Sequence, residues 1–315
     1  MVAKHAGVAQ STVSLVVNNS PRVSDFTRKK VLSAARELGY IMESQKRRLL
    51  IGLIITRMRE IKSYQAMMIS ALKEEIYKRR YRMEIICNED IPLLNDRIVS
   101  GAISISNDPK LNEHWQNLNT IPLVRIGGVG DHLSNIYTVY PDPESNITQM
   151  FEHLWGYGHR RIGLILKLSH EQEENILEHN GEVFRRLIFE RGCDNPDDFI
   201  SYADKRTIDK RLDDLLAQKV TALIVIPGDT GLVISRKLNL RGLRIPQDIS
   251  LITLEYSGIS ENWNPPLTTF LRDYPAISKH ALDLLEKLIS PNATACDIPV
   301  SGYIIPRESV AKPII

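Results

Sequence analysis

From Leu50 onward the chain alternates short apolar runs with amphipathic stretches. Residues 51–56 (IGLIIT), 83–88 (MEIICN), 101–105, 122–126 and the shorter 136–139 read as buried strands. Residues 63–80 place Met67, Ile69, Ala71, Leu72 and Ile76 along one side of a helix. A second series begins at Arg161. Strands are expected at 161–167, near 199–202, at 222–226 and at 249–254. Helices are expected within 174–191 and at 207–217 and 231–241. Strands this apolar, alternating with helices, predict parallel sheets covered on both faces. Two such series predict an α/β core of two doubly wound subdomains, with ligand expected at the carboxyl ends of the strands.

The first 41 residues have a different rhythm and predict an all-α head. Residues 2–5 read as the end of a helix. Residues 11–18 carry an apolar stripe of Val13, Val16 and Val17. Residues 24–39 show Ser24 as N-cap, Val31, Leu32, Ala35 and Leu38 on one face, and Gly39 as the C′ residue. Ala3, Gly7 and Val13 have the spacing of a helix-turn-helix. Ala3 would allow close helix approach, Gly7 would take the positive φ of the turn, and Val8, Val13 and Val16 would form the wedge. Gln10, Ser11, Thr12, Ser14 and Leu15 would then face outward, where such a helix meets base edges in the major groove. Gln suits an adenine edge, Ser suits several bases and Leu suits a thymine methyl. The spacing also fits an ordinary αα-hairpin.

Charge sharpens the picture of the head. Residues 1–50 hold nine basic and three acidic residues, a formal +6, whereas the remaining residues hold 31 basic and 35 acidic, a formal −4. A basic head on a mildly acidic body points to a polyanion as the head's partner. Three widely spaced cysteines, Cys87, Cys193 and Cys296, argue against a disulfide framework and for a reducing cytoplasm. No secretory segment is visible, and no apolar run is long enough to span a bilayer, so no membrane partner is expected. Enzyme motifs are missing: there is no G-x-S-x-G, P-loop or H-E-x-x-H. Gly127-Gly128-Val129-Gly130 reads as a turn, and His153 and His159 would lie on different helix faces. Catalytic residues, metal and cofactor are therefore all expected to be none.

The segment AGVAQSTVSLVVNNSPRVSDFTRKKVLSAARELGYI (6–41) resembles the DNA-binding domain of LacI/GalR-type transcriptional regulators. The resemblance extends over nearly the whole chain. IGLI (51–54) and GHRRIGLI (158–165) resemble the openings of the two core halves, and RIPQDISLI (244–252) and PPLTTFLRD (265–273) the closing motifs. It implies a periplasmic-binding-protein-like core and a homodimer on a double-stranded DNA operator, probed by a small-molecule effector. It also implies a head at 1–41, shorter at its start than the family's, and a linker at 42–50. The core would be 51–315, with subdomain one at 51–157 plus 272–292 and subdomain two at 158–271 plus 293–315. The linker is too short for the family's hinge helix, and residues 88–99 leave little room for a full helix.

Carried onto this sequence, the resemblance implies base reading by Gln10, Ser11, Leu15 and Arg22. Phosphate contacts would fall to Thr12, Ser14, Asn18, Ser24 and Thr27, with Lys46, Arg47 and Arg48 on the linker. Leu15 stands where many members carry an Arg, so sequence preference should differ. The effector site would comprise Thr56, Arg57, Asp142, Glu178, Asp229 and Glu255. Glu178 replaces the Arg that grips sugar hydroxyls, so the cleft reads as acidic. An acidic cleft suits a small neutral or cationic polar effector, such as a sugar or amino-sugar, and disfavours a phosphorylated one. Two other functions share these features: a solute-binding protein of the same core fold, and a decayed regulator without effector response or DNA binding.

Overall fold

The computed structural model describes residues 2–17, 22–38, 49–56, 63–91, 99–106, 111, 115, 121–127, 136–167, 174–256, 258–289 and 295–314. The head consists of α1 (Val2–His5), α2 (Gln10–Val17) and α3 (Asp25–Glu37). Its small core is built from Val2, Ala6, Val16, Val23, Val31 and Ala34, with Val8 and Val13 packed against it. The small residue at the centre is Ala6, which is 1% exposed, rather than the half-buried Ala3. Ala3 closes the turn instead, its carbonyl accepting from Val8 N at 3.0 Å. Gly7 has φ +59°, which a side chain would strain. Gly39 lies outside the described residues.

The core contains two six-stranded sheets. The first comprises β1 (Leu50–Ile55), β2 (Arg82–Cys87), β3 (Gly101–Ser104), β4 (Leu123–Ile126), β5 (Ile136–Pro141) and β11 (Ile298–Val300). It is parallel throughout, in the order β11-β5-β4-β3-β1-β2. The second comprises β6 (Ile162–Lys167), β7 (Ile200–Ala203), β8 (Ala222–Ile226), β9 (Ser250–Leu254), β10 (Thr268–Leu271) and β12 (Tyr303–Ile305). Its order is β12-β10-β9-β8-β6-β7, parallel except for β12 against β10. Central strands are buried along their length, as the apolar runs require: β8 and β9 are buried at every position.

Helices cover the sheets. They are α4 (Ser63–Lys78), α5 (Pro143–Gly156), α6 (Glu174–Glu190), α7 (Ile208–Ala217), α8 (Gly228–Leu240) and α9 (Tyr274–Ile289). The buried side of α4 is Met68, Leu72 and Ile76, facing the first sheet; of the expected stripe Leu72 and Ile76 are buried, while Met67, Ile69 and Ala71 are only partly so and flank it. Two long helices, α5 and α9, were not among the expected elements. Both start after a strand end, with Pro143 at the first turn of α5 and Pro275 early in α9, positions that proline tolerates.

Three of the expected domain boundaries, at residues 50, 157 and 292, differ in the structure. Leu50 belongs to β1, paired with Arg82, and not to the linker. Helix α5 packs on α6, and its Ile147, Met150, Phe151 and Leu154 lie in the core of the second subdomain. The chain therefore leaves the first subdomain at about residue 141, not 157. It returns after Leu271, because α9 packs on α4 and the first sheet. It leaves again after Val300, because β11 extends the first sheet beside β5. Residues 295–300 thus belong to subdomain one. At this last crossing a Cβ on Gly302 would lie 2.2 Å from the Leu271 carbonyl oxygen, so only glycine allows the two backbones to pass.

Candidate DNA interface and effector cleft

On the head, the turn at Gly7 aims α2 so that its apolar side meets α3 and its polar side meets solvent. Gln10, Ser11 and Ser14 are exposed and Thr12 is half-buried. Leu15, 38% exposed, presents an apolar side chain among them. Arg22 is also exposed. Ser24 caps α3: its Oγ accepts from Thr27 N at 3.3 Å and lies 2.9 Å from Thr27 Oγ1. The two hydroxyls thus form one cluster at the amino end of α3, where the helix dipole favours an anion. Lys30 reaches back to the turn, with Nζ 3.6 Å from where a Gly7 Cβ would be. Asn18, Lys46, Arg47 and Arg48 lie outside the described residues.

In the core, polar side chains collect at the carboxyl ends of both sheets. Thr56, just past β1, has Oγ1 3.1 Å from Ser106 Oγ, and Asn88 Nδ2 donates to the same Ser106 oxygen at 3.0 Å. Asn88 and Ser106 were not anticipated. The available signal was position: each lies within two residues of the end of its own strand, β2 or β3. Arg57 lies outside the described residues.

The second sheet brings charges together in pairs. Lys167 at the end of β6 donates to Asp229 Oδ2 at 2.8 Å, in the first turn of α8. Glu255 follows β9, and its Oε2 accepts from Arg307 Nη2 at 2.8 Å and from Thr269 Oγ1. Arg307 also donates to the Leu267 carbonyl and to Thr269 Oγ1. This pair is nearly enclosed, with side-chain exposures of 15% for Arg307 and 8% for Glu255. It borders a recess of about 190 Å³ between the subdomains, walled by Met67 and Tyr274 on one side and by Glu261 and Ile305 on the other. Behind Tyr274, its ring centroid lies 6.0 Å from that of Tyr64, and Arg272 stands 4.8 Å over the Tyr64 ring. Burial pushes the Tyr64 and Tyr274 hydroxyls above their ordinary pKa, so both stay neutral.

The expectation of an acidic cleft is corrected by these contacts. Asp229 and Glu255 are each neutralised by a cation that the reading of carboxylates alone left out. Asp142 is the N-cap of α5, with Oδ1 accepting from Glu144 N at 3.1 Å. Its role is explained by the helix end. Glu178 sits on α6 and is exposed. The structure brings Glu255 into the recess; Asp142, Glu178 and Asp229 are not among its walls.

Residues 2–43 match the family described as bacterial regulatory proteins, lacI family. Residues 151–310, just over half of the chain, match the periplasmic binding protein-like domain. An HTH-type transcriptional repressor PurR of Aliivibrio salmonicida is 26% identical, covering 99% of this chain and 98% of the relative. Catabolite control protein A of Priestia megaterium is also 26% identical, covering 92% and 91%. Among solved structures, a lac repressor dimer bound to operator and the anti-inducer ONPF has a TM-score of 0.73 at 21% identity, covering 98% of both chains. A complex of the transcriptional regulator CelR with cellobiose has a TM-score of 0.69 at 23% identity, also covering 98% of both. Head, two-sheet core and matches along the chain lead to one conclusion: the protein belongs to the lacI family of bacterial regulatory proteins, with a helix-turn-helix head and a periplasmic-binding-protein-like core.

Proposed function

We propose that the protein acts in the cytoplasm as a homodimer, reading a two-part operator with α2 of each head. Gln10, Ser11, Leu15 and Arg22 read bases. Thr12, Ser14, Asn18, Ser24 and Thr27 hold phosphates, with Lys46, Arg47 and Arg48 as further backbone contacts. The observation that carries this reading is the exposure of Gln10, Ser11, Ser14 and Leu15 together on one short helix. The dimeric, operator-bound lac repressor of the same fold supports it. Selection of bound sequences from a random duplex pool tests it. The expected product is a two-part symmetric site whose binding weakens steeply with salt, and salt-independent binding would refute the assignment.

The cleft between the subdomains takes a small polar effector of no net charge. Thr56, Arg57, Asn88 and Ser106 supply polar contacts from the first sheet, and Asp229 and Glu255 from the second. Because Lys167 and Arg307 already balance the two carboxylates, a ligand cation gains little and a ligand phosphate meets no unpaired cation of either pair. Hydroxyl groups can bond both ends of an ion pair without disturbing it, which favours a sugar-like molecule. CelR, of the same fold, was solved with cellobiose. A thermal-shift screen of neutral sugars, amino-sugars and sugar phosphates tests the class, with neutral sugars expected to raise the melting temperature most.

A further inference from the structure

We propose that Phe26 is a nonionic contact to the DNA sugar–phosphate backbone, placed at the edge of the operator interface. Phe26 is the second residue of α3 and is 79% exposed, the most exposed large apolar side chain among the described residues of the head. The head's own core does not use it: Val23, Val31 and Ala34 meet α1 and α2 instead. Counting along α3, Phe26 shares a stripe with Lys29, Lys30 and Ser33, at i+3, i+4 and i+7, and all four are exposed. The Ser24–Thr27 hydroxyl cluster lies on either side of it in sequence, at the same end of the helix.

This stripe matches one partner chemically. A DNA backbone alternates phosphate anions with deoxyribose rings, whose exposed edge is carbon and hydrogen. Two lysines suit the phosphates, and a phenyl ring beside them suits the sugar. A protein partner with an apolar pocket would have to bury Lys29 and Lys30 as well, which costs desolvation unless carboxylates face them. Continuity with the proposed phosphate contacts and the +6 charge of residues 1–50 both favour DNA. The inference rests on the head's reading as a DNA-binding domain.

A phenyl ring on a sugar releases no counterion, and this separates it from every cationic contact. The test uses the full chain, a mixed-sequence DNA duplex and binding measured over a series of salt concentrations. Phe26→Ala is expected to weaken binding roughly three- to tenfold at every salt concentration, from the apolar area left uncovered. The slope of log affinity against log salt is expected to stay as in the unaltered chain. Phe26→Lys is expected to recover binding at low salt and to steepen that slope by about one. Unchanged binding by Phe26→Ala overturns the proposal. So does a changed slope in that variant, or a changed mass by sedimentation, which would assign the ring to a contact between copies. Thermal melts of the variants are expected to match the unaltered chain, because the residue is outside the head's core. If the unaltered chain binds no duplex at all, the DNA-binding reading falls and the inference with it. If it binds and Phe26→Ala binds equally, only the inference falls.

Discussion

Arg307 Nη2 lies 2.8 Å from Glu255 Oε2, 52 residues earlier in the chain, at the wall of the recess between the subdomains. The guanidinium comes from the segment after β12 and the carboxylate from the loop after β9, so the pair ties two strand ends of the second sheet together. Both side chains are shielded from water. Their attraction is therefore strong, but each depends on the other for compensation.

Breaking this pair from one side should cost far more than removing it whole. Arg307→Met is expected to destabilise the core by about 3–5 kcal/mol, because it leaves a shielded carboxylate. The double variant Arg307→Met, Glu255→Gln should recover a large part of that loss. Urea unfolding of the three proteins measures it, and equal loss in the single and double variants would contradict the role assigned to the pair.

Lys167 balances Asp229, which the proposed effector site includes. Its pair with Asp229 is part-exposed, so Lys167→Met should change stability by less than about 1 kcal/mol. Its effect should fall on ligand choice. With Asp229 unbalanced, the variant is expected to favour amino-sugars over the matching neutral sugars, read as a reversed order of thermal shifts.

A pH dependence follows from His159. It is 1% exposed, with Nε2 2.8 Å from the Ala311 carbonyl and Nδ1 2.8 Å from Thr221 Oγ1. Nε2 therefore donates to the carbonyl, and in the neutral ring Nδ1 accepts from the hydroxyl. Burial lowers its pKa; the Ala311 carbonyl opposes this shift and nearby Arg160 adds to it. A base with a depressed folded pKa contributes stability above its unfolded value of about 6.5. That contribution is lost as the pH falls through the lower folded value. The urea midpoint should drop between pH 7 and the acid range, and His159→Asn should flatten that part of the profile.

Base-reading and backbone residues of the head should separate by their effects on specificity. Gln10→Ala is expected to cost about 1–3 kcal/mol on the selected operator and to relax one base position. Ser24→Ala removes the α3 cap, which is expected to cost the head roughly 1 kcal/mol of stability. It should also weaken binding to all sequences alike. Competition titrations with single-base operator variants, run beside thermal melts, distinguish the two.

Periodicity alone determined much of this protein. The apolar runs at 51–56, 161–167 and 222–226 could be satisfied only in sheets covered on both faces, and β1, β6 and β8 lie there. The spacing of Gly7, Val13 and Val16 determined the turn of the head and left Gln10, Ser11 and Leu15 outside, because only one side of a short helix can be apolar and packed. Local sequence has no access to pairings across long separations, and there the tertiary structure decided. Asp229 and Glu255 read as an acidic pair until Lys167 and Arg307, 62 and 52 residues away, arrived beside them. Asn88 and Ser106 became one cluster with Thr56 only when β1, β2 and β3 lay side by side. Helix α5 follows β5 without a break in the chain, yet it belongs to the other subdomain. Its buried Met150 and Phe151 find their partners on α6 and the second sheet. Contacts of that kind depend on where the chain returns to, which a pattern of neighbouring residues does not encode.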